Sequence, residues 1–345
     1  MPESAPTAPV RRPGSDFTLL SKRIKAAGLL ARRPGYYLTR TSLVLSGYVL
    51  AWAAFARVGD SWWNLATAAA LAFVFGQVAL LAHDVAHLQV FRRRATSARA
   101  GRLLGNLGIG MGYGWWQDKH SRHHANPNHE DLDPDVRPDI LLWSAGQARR
   151  AQGWLPRLVG RRQAYLFFPL LALEGFNLHA AGLRSLADRT LRRRRTEALL
   201  LLGHLALYAG ALFLTLPAGK AVAFLLVHQC LFGLYLGSVF APNHKGMPLL
   251  AGKDRPDFLR RQVLTSRNVR GGRLTDLMLG GLNYQIEHHL FPQMPTPHLR
   301  RAQDIVRAYC RDARVPHAET GLLASYREAL RSLHAAGEPL RHPDS

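Results

Sequence analysis

The chain has 345 residues, with 45 Lys and Arg against 23 Asp and Glu, giving a formal net charge of +22. That length builds one large domain or two small ones. Cys230 and Cys310 are the only cysteines and lie far apart, which excludes a disulfide framework and a C-x-x-C zinc or redox motif.

Residues 1–18 carry Pro, Arg and Ser but no apolar core of a secretory signal, so residues 1–35 read as a basic, partly disordered cytoplasmic leader. Residues 37–56 are apolar apart from Arg40, whose long side chain can snorkel from near the end of a span. Trp62 and Trp63 mark an interfacial turn. Residues 64–82 are uncharged, and at about 1.5 Å per residue they cover about 28 Å, close to the hydrocarbon thickness. His83 therefore emerges at the membrane edge with His87 one turn beyond, ahead of Arg92, Arg93 and Arg94.

Residues 101–116 are apolar, glycine-rich and irregular, which predicts an interfacial or re-entrant segment. An acidic, proline-bearing loop covers 125–139. Residues 164–183 contain Glu174, Asn177 and His179 and read as an interfacial helix or a span with a polar stripe. Residues 198–216 and 221–241 are clearer spans with basic stretches on both sides. The short arginine blocks flank apolar runs, a pattern for loops facing anionic lipid, and no zinc finger or RNP-like box accompanies them, so no nucleic-acid partner is expected. The positive-inside bias puts both termini in the cytoplasm with about four spans between them. Residues 296–310 and 320–333 read as soluble helices, and 336–345 as a loose tail. The predicted fold is all-α and multi-pass, with residues 36–335 as one membrane domain whose cytoplasmic helical cap carries the histidines.

Those histidines are clustered. His83 and His87 stand at i and i+4; His120, His123 and His124 at i, i+3 and i+4; and Gln285, His288 and His289 repeat that spacing. On a helix each set projects from neighbouring points of one face. With His244, beside Asn243, these make eight of the 16 histidines. A zinc site is complete with about four ligands, so eight imidazoles suit two metals. Activation of dioxygen points to iron, because zinc has no redox chemistry, and copper fits the same ligand type. A membrane metal transporter is the reading from another class, but transport would put ligands near the bilayer midplane rather than at one edge.

The three boxes resemble those of membrane fatty acid desaturases. The stretches His120-x-x-His123-His124-x-x-Pro127-Asn128, with Asp133-Pro134-Asp135 after it, and Gln285-Ile286-Glu287-His288-His289-Leu290-Phe291-Pro292 resemble the front-end (delta-5/delta-6-like) branch. The resemblance covers residues 35–335 and implies a di-iron centre and O2-dependent insertion of a double bond into an acyl chain. The ligands it implies are His83, His87, His120, His123, His124, His288 and His289, with His244 as a further one. The substrate would be an acyl-CoA, an acyl carrier protein ester or an acyl lipid. Many front-end enzymes carry a fused cytochrome b5 domain; this chain has no His-Pro-Gly-Gly haem motif, so a separate ferredoxin, or cytochrome b5 with its reductase, is the expected electron donor. Ala86 stands where Gly is common, with little consequence expected. A hydroxylase, ketolase or acetylenase of the same histidine-box class is the alternative.

Asp84, Asp118, Asp133, Asp135, Glu287 and Asn243 are candidates to accept the free ring N–H of ligating histidines, although a solvated carboxylate or helix cap suits each acid as well. Gln285 reads as a hydrogen-bond partner of metal-bound solvent or as a weak ligand. Tyr113, Trp115 and Trp116 suit the mouth of an acyl channel or an interfacial aromatic belt. His179, His204 and His228 lie in apolar segments and are expected to satisfy themselves against neighbouring helices. His129, His298, His317, His334 and His342 are expected to be solvated.

Overall fold

The computed structural model describes residues 16–252 and 254–342; the expected leader up to residue 15 and the tail from residue 343 lie outside the described residues. From residue 16 the chain is already helical: α1 (Asp16–Ala26) buries Leu20 and Ile24. Helix α2 (Pro34–Val58) starts on a proline, whose missing N–H would have no partner in a first turn anyway. It is followed by α3 (Asn64–Ala86) and α4 (Arg94–Arg102), then a π-helical turn at Leu103–Gly108 and α5 (Tyr113–Ala125). Ser144 caps α6 (Ala145–Arg150) through the backbone N–H of Gln147. Helices α7 (Trp154–Leu171) and α8 (Glu174–Ser185) meet at a bend of 82°, so the stretch with the polar stripe is a broken pair.

The chain continues through α9 (Arg194–Thr215), α10 (Ala218–His244), α11 (Phe258–Leu264), β1 (Asn268–Arg270), α12 (Arg273–Met278), α13 (Gln285–Leu290) and α14 (Thr296–Asp312). It closes with β2 (Glu319–Gly321), α15 (Leu322–Ala336) and α16 (Glu338–Arg341), the last lying within the expected tail. Strands β1 and β2 form one short parallel pair, an element the sequence reading did not include.

Among the described residues four helices, α2, α3, α9 and α10, are long and apolar enough to cross a membrane. The outer faces of α2 and α9 expose Leu38, Leu43, Leu199, Leu207 and Leu214, which is favourable against lipid and unfavourable against water. Helix α3 packs between α2 and α10 and is the most enclosed of the four. One apolar core, around Leu71, Phe75, Phe224 and Phe232, lies between these helices. A second, around Ile24, Leu259, Ile286, Leu299 and Val306, holds α1, α11, α13 and α14 together as a cap.

Two close contacts fix how neighbouring helices meet. Helix α5 crosses α8 where Gly112 meets Gly182; a Cβ on Gly112 would lie 2.7 Å from Gly182 Cα, so only glycine allows the approach. Arg40 does not snorkel. Its guanidinium lies 2.6 Å from the buried Asp84 carboxylate, joining the first turns of α2 to the last turn of α3. Two charges in an apolar setting are tolerated there because each neutralises the other.

Candidate metal centre

All eight singled-out histidines come together where the membrane helices meet the cap. The last turn of α3 supplies His83 and the residue that ends it, His87; α5 supplies His120, His123 and His124; the end of α10 supplies His244; and α13 supplies His288 and His289. They form two groups. His83, His87, His120, His124 and His288 each present a ring nitrogen within 4.8 Å of all the others, and so do His123, His244 and His289. The groups lie side by side, with the rings of His124 and His289 stacked at a centroid distance of 4.2 Å.

The boxes do not map one to one onto the groups. Neighbouring positions on a helix point about 100° apart, so α5 sends His120 and His124 to one group and His123 to the other. Helix α13 divides His288 and His289 in the same way.

The donor set fits metal ions. The Nε2 atoms of His87 and His120 are 2.9 Å apart, those of His120 and His124 3.1 Å, and those of His124 and His288 3.2 Å. A neutral imidazole has one N–H, which cannot point at two neighbours at once, so the rings do not satisfy this chain of contacts well among themselves. Both ring nitrogens of His83 and Nε2 of His289 are buried without a hydrogen-bond partner. Convergent lone pairs of this kind are what a cation satisfies. Burial, reinforced by neighbouring imidazoles, holds His87, His120, His124, His288 and His289 well below the usual histidine range, so they stay neutral. His123 differs: burial lowers it, but the Asp133 and Asp135 carboxylates together outweigh burial and raise it.

Residues 60–321 match the family model for fatty acid desaturases. The chain belongs to that family. It is therefore an oxidoreductase and an integral membrane protein. The acyl-lipid 8-desaturase of Rebecca salina is 30% identical over 93% of this chain and 74% of its own. The Delta(8)-fatty-acid desaturase of Helianthus annuus is 27% identical over 93% and 73%. The acyl-lipid (9-3)-desaturase of Physcomitrium patens is 28% identical over 79% of this chain, which spans only 53% of that relative.

Around the ligand candidates of this desaturase, only some of the expected partners touch an imidazole. Asp133 accepts the His123 Nδ1–H at 2.9 Å and also the backbone N–H of Asn128 and Asp135. Asp135 sits 3.5 Å from the same nitrogen and is held by Lys119 at 2.7 Å. Asp84 is 3.6 Å from His83 Nδ1 and belongs chiefly to Arg40. Asp118 does not reach a ring; it faces solvent and pairs with Arg122 one turn on, as the spacing of two oppositely charged residues at i and i+4 allows.

Glu287 is wholly buried but points away from the rings, accepting from Asn268 Nδ2 at 2.7 Å and meeting His317. Asn243 donates to Gln285 Oε1 at 3.3 Å, and Gln285 Nε2 is 2.9 Å from His244 Nε2. Trp116 stacks on His120 at 4.7 Å, whereas Trp115 lies beside Lys119. Tyr113 is sealed in the core under Gly101.

An apolar cavity of about 650 Å³ runs between α2, α3, α9 and the π-helical turn, lined by Leu45, Trp52, Val78, Leu107, Leu207 and others. None of Tyr113, Trp115 and Trp116 lines it. Its α3 wall, Val78, Leu81 and Val85, is about 200° round the helix from His83, so it is separate from the histidine groups.

Of the histidines expected to be satisfied by neighbouring helices, His179 and His204 donate to the Gly175 and Leu107 carbonyls, and His228 pairs with the Tyr208 hydroxyl. His129, His298 and His317 are not solvated. His298 donates to the Leu29 carbonyl at 2.7 Å, His129 is buried, and His317 is enclosed against Glu287.

The residues 262–268 were missed by the sequence reading. Gln262 accepts from His289 Nδ1 at 2.9 Å, the Thr265 carbonyl accepts from His244 Nδ1 at 3.0 Å, and Asn268 accepts the Ile286 N–H at the start of α13. Arg267, wholly buried, donates to the Pro242 carbonyl at 2.6 Å and also bonds Lys245 O and Glu328. No spacing rule marks these residues, because their partners are remote in sequence.

Proposed function

We propose that this desaturase holds two iron ions, one in the group of His83, His87, His120, His124 and His288 and the other in the group of His123, His244 and His289 beside Gln285. With them it inserts a double bond into an acyl chain, in the manner of the front-end branch. The observation that carries this is the convergence of eight imidazoles from four separate segments into two adjacent groups with inward lone pairs.

Bound iron supplies the redox chemistry with dioxygen that an unactivated methylene requires, since no side-chain acid or base removes such a hydrogen. The protein's own part is placement. Burial keeps His87, His120, His124, His288 and His289 neutral and able to ligate, Asp133 holds the His123 proton on Nδ1, and Trp116 fixes the plane of His120. Asn243 and Gln285 form a polar edge to the smaller group, able to orient a solvent molecule there. Phe240 and Trp116 flank His83 with apolar surface suited to an acyl chain.

An acyl lipid, the substrate class named for two of the relatives, suits a site at the membrane edge; acyl-CoA or an acyl carrier protein ester would meet it from the aqueous side. Electrons come from a partner protein, a ferredoxin or cytochrome b5 with its reductase. The basic stretches flanking the spans support four crossings with the metal centre on the cytoplasmic face. Gas chromatography with double-bond mapping, on a lipid-producing host expressing the chain, tests the reading. A new unsaturated acyl chain that disappears in His288→Ala is expected. Hydroxylated products, or no difference between the two proteins, would overturn it.

A further inference from the structure

The two histidine groups are tethered differently. In the smaller group every imidazole has its outer nitrogen fixed by an acceptor: His123 by Asp133, His244 by the Thr265 carbonyl and His289 by Gln262. In the larger group, among the described residues, His124 Nδ1 is buried with no partner, and the closest approach to an acceptor at His83 is the 3.6 Å contact with Asp84.

Gln262 is the one side-chain amide among these tethers, and its orientation is forced. Its Nε2 lies 3.0 Å from the His124 backbone carbonyl, which can only accept, so the amide nitrogen must face it. Oε1 then faces His289 and can only accept, so His289 carries its proton on Nδ1. Nε2 is left as a bare lone pair, and it is the nitrogen that is buried without a partner in the smaller group. One residue thus sets the tautomer of a ligand in one group while gripping the backbone of a ligand in the other.

The geometry points to Gln262 as a positioning residue that fixes the His289 tautomer and so decides whether the three-histidine position fills with metal. The inference rests on the two-iron reading. A position with three imidazoles loses a third of its donors if one ring turns, whereas the five-histidine position has donors to spare.

The test is iron content and affinity of full-length protein purified in detergent after iron-supplemented expression, alongside the absorption spectrum of the cobalt(II)-substituted form. The variants are Gln262→Leu, which removes both hydrogen bonds, and Gln262→Glu, which keeps an acceptor for His289 Nδ1–H but loses the donor to His124. Wild type is expected to bind about two irons. Gln262→Leu should fall towards one, with affinity at the weaker position reduced about 10–100-fold. Gln262→Glu should retain both, with a changed cobalt spectrum. Two irons at wild-type affinity with an unchanged spectrum in Gln262→Leu would overturn the inference and leave the two-iron reading standing. Loss of an iron from Gln262→Glu would overturn the tautomer argument even if the leucine variant fails to fold. Wild-type protein without iron would overturn both.

Discussion

Asp133→Asn changes one atom in a side chain that is fully enclosed. Oδ2 accepts from His123 Nδ1 at 2.9 Å and from the Asn128 backbone at 2.8 Å, while Oδ1 accepts from the Asp135 backbone at 2.9 Å. An asparagine has a single oxygen. In its best orientation that oxygen keeps His123 and Asn128, and the new NH2 group meets the Asp135 N–H, leaving two donors, that N–H and the NH2 itself, facing each other without an acceptor. Such a group costs about 1–3 kcal/mol. The negative charge that favours the outer proton of His123 is also lost, and removing an outer partner of a ligating histidine typically lowers metal affinity about 10–100-fold. Chelator competition on the purified protein reads the affinity, and thermal unfolding of the metal-free form in detergent reads the stability. Asp133→Asn is expected to lose both. A variant that keeps iron and unfolds like wild type would refute the assignment of Asp133 as the His123 tether.

Arg40→Met leaves the Asp84 carboxylate buried without its partner, an expected loss of about 3–5 kcal/mol; the double variant with Asp84→Leu should recover most of it, as read by unfolding in detergent. Asp118→Asn removes only an exposed pair with Arg122, so unfolding and iron content should stay at wild-type levels, with any stability change within about 0.5 kcal/mol. Acid should destabilise the metal-free protein in a defined window. His87, His120, His124, His288 and His289 stay neutral when folded but bind protons in the unfolded chain below about 6.5, so the unfolded state holds more protons there. Stability then falls as pH drops from about 6.5, by up to about 1.4 kcal/mol per pH unit for each imidazole. An unfolding midpoint that does not change between about pH 7 and pH 5 would contradict the burial of these rings.

The membrane helices and the histidine boxes were legible in the sequence because both are local patterns. Runs such as 64–82 and 221–241 must be apolar to lie in lipid, and His83 with His87, or His120 with His124, share a helix face by spacing alone. The front-end likeness of the boxes rests on contiguous residues as well. The sorting of the ligands was not legible. Only the crossing of α3, α5, α10 and α13 decides that His123 parts from His124 and His288 from His289, since α5 and α13 each face both groups at once. The same holds for the carboxylates: Asp118 and Asp133 are equally acidic on paper, and the fold turns one to water and the other to His123. Residues 262–268 carry no periodic or compositional mark, yet they tether His244 and His289 and the start of α13. Local spacing fixes which way a side chain leaves its own helix, whereas what it meets depends on the packing of segments far apart in the chain.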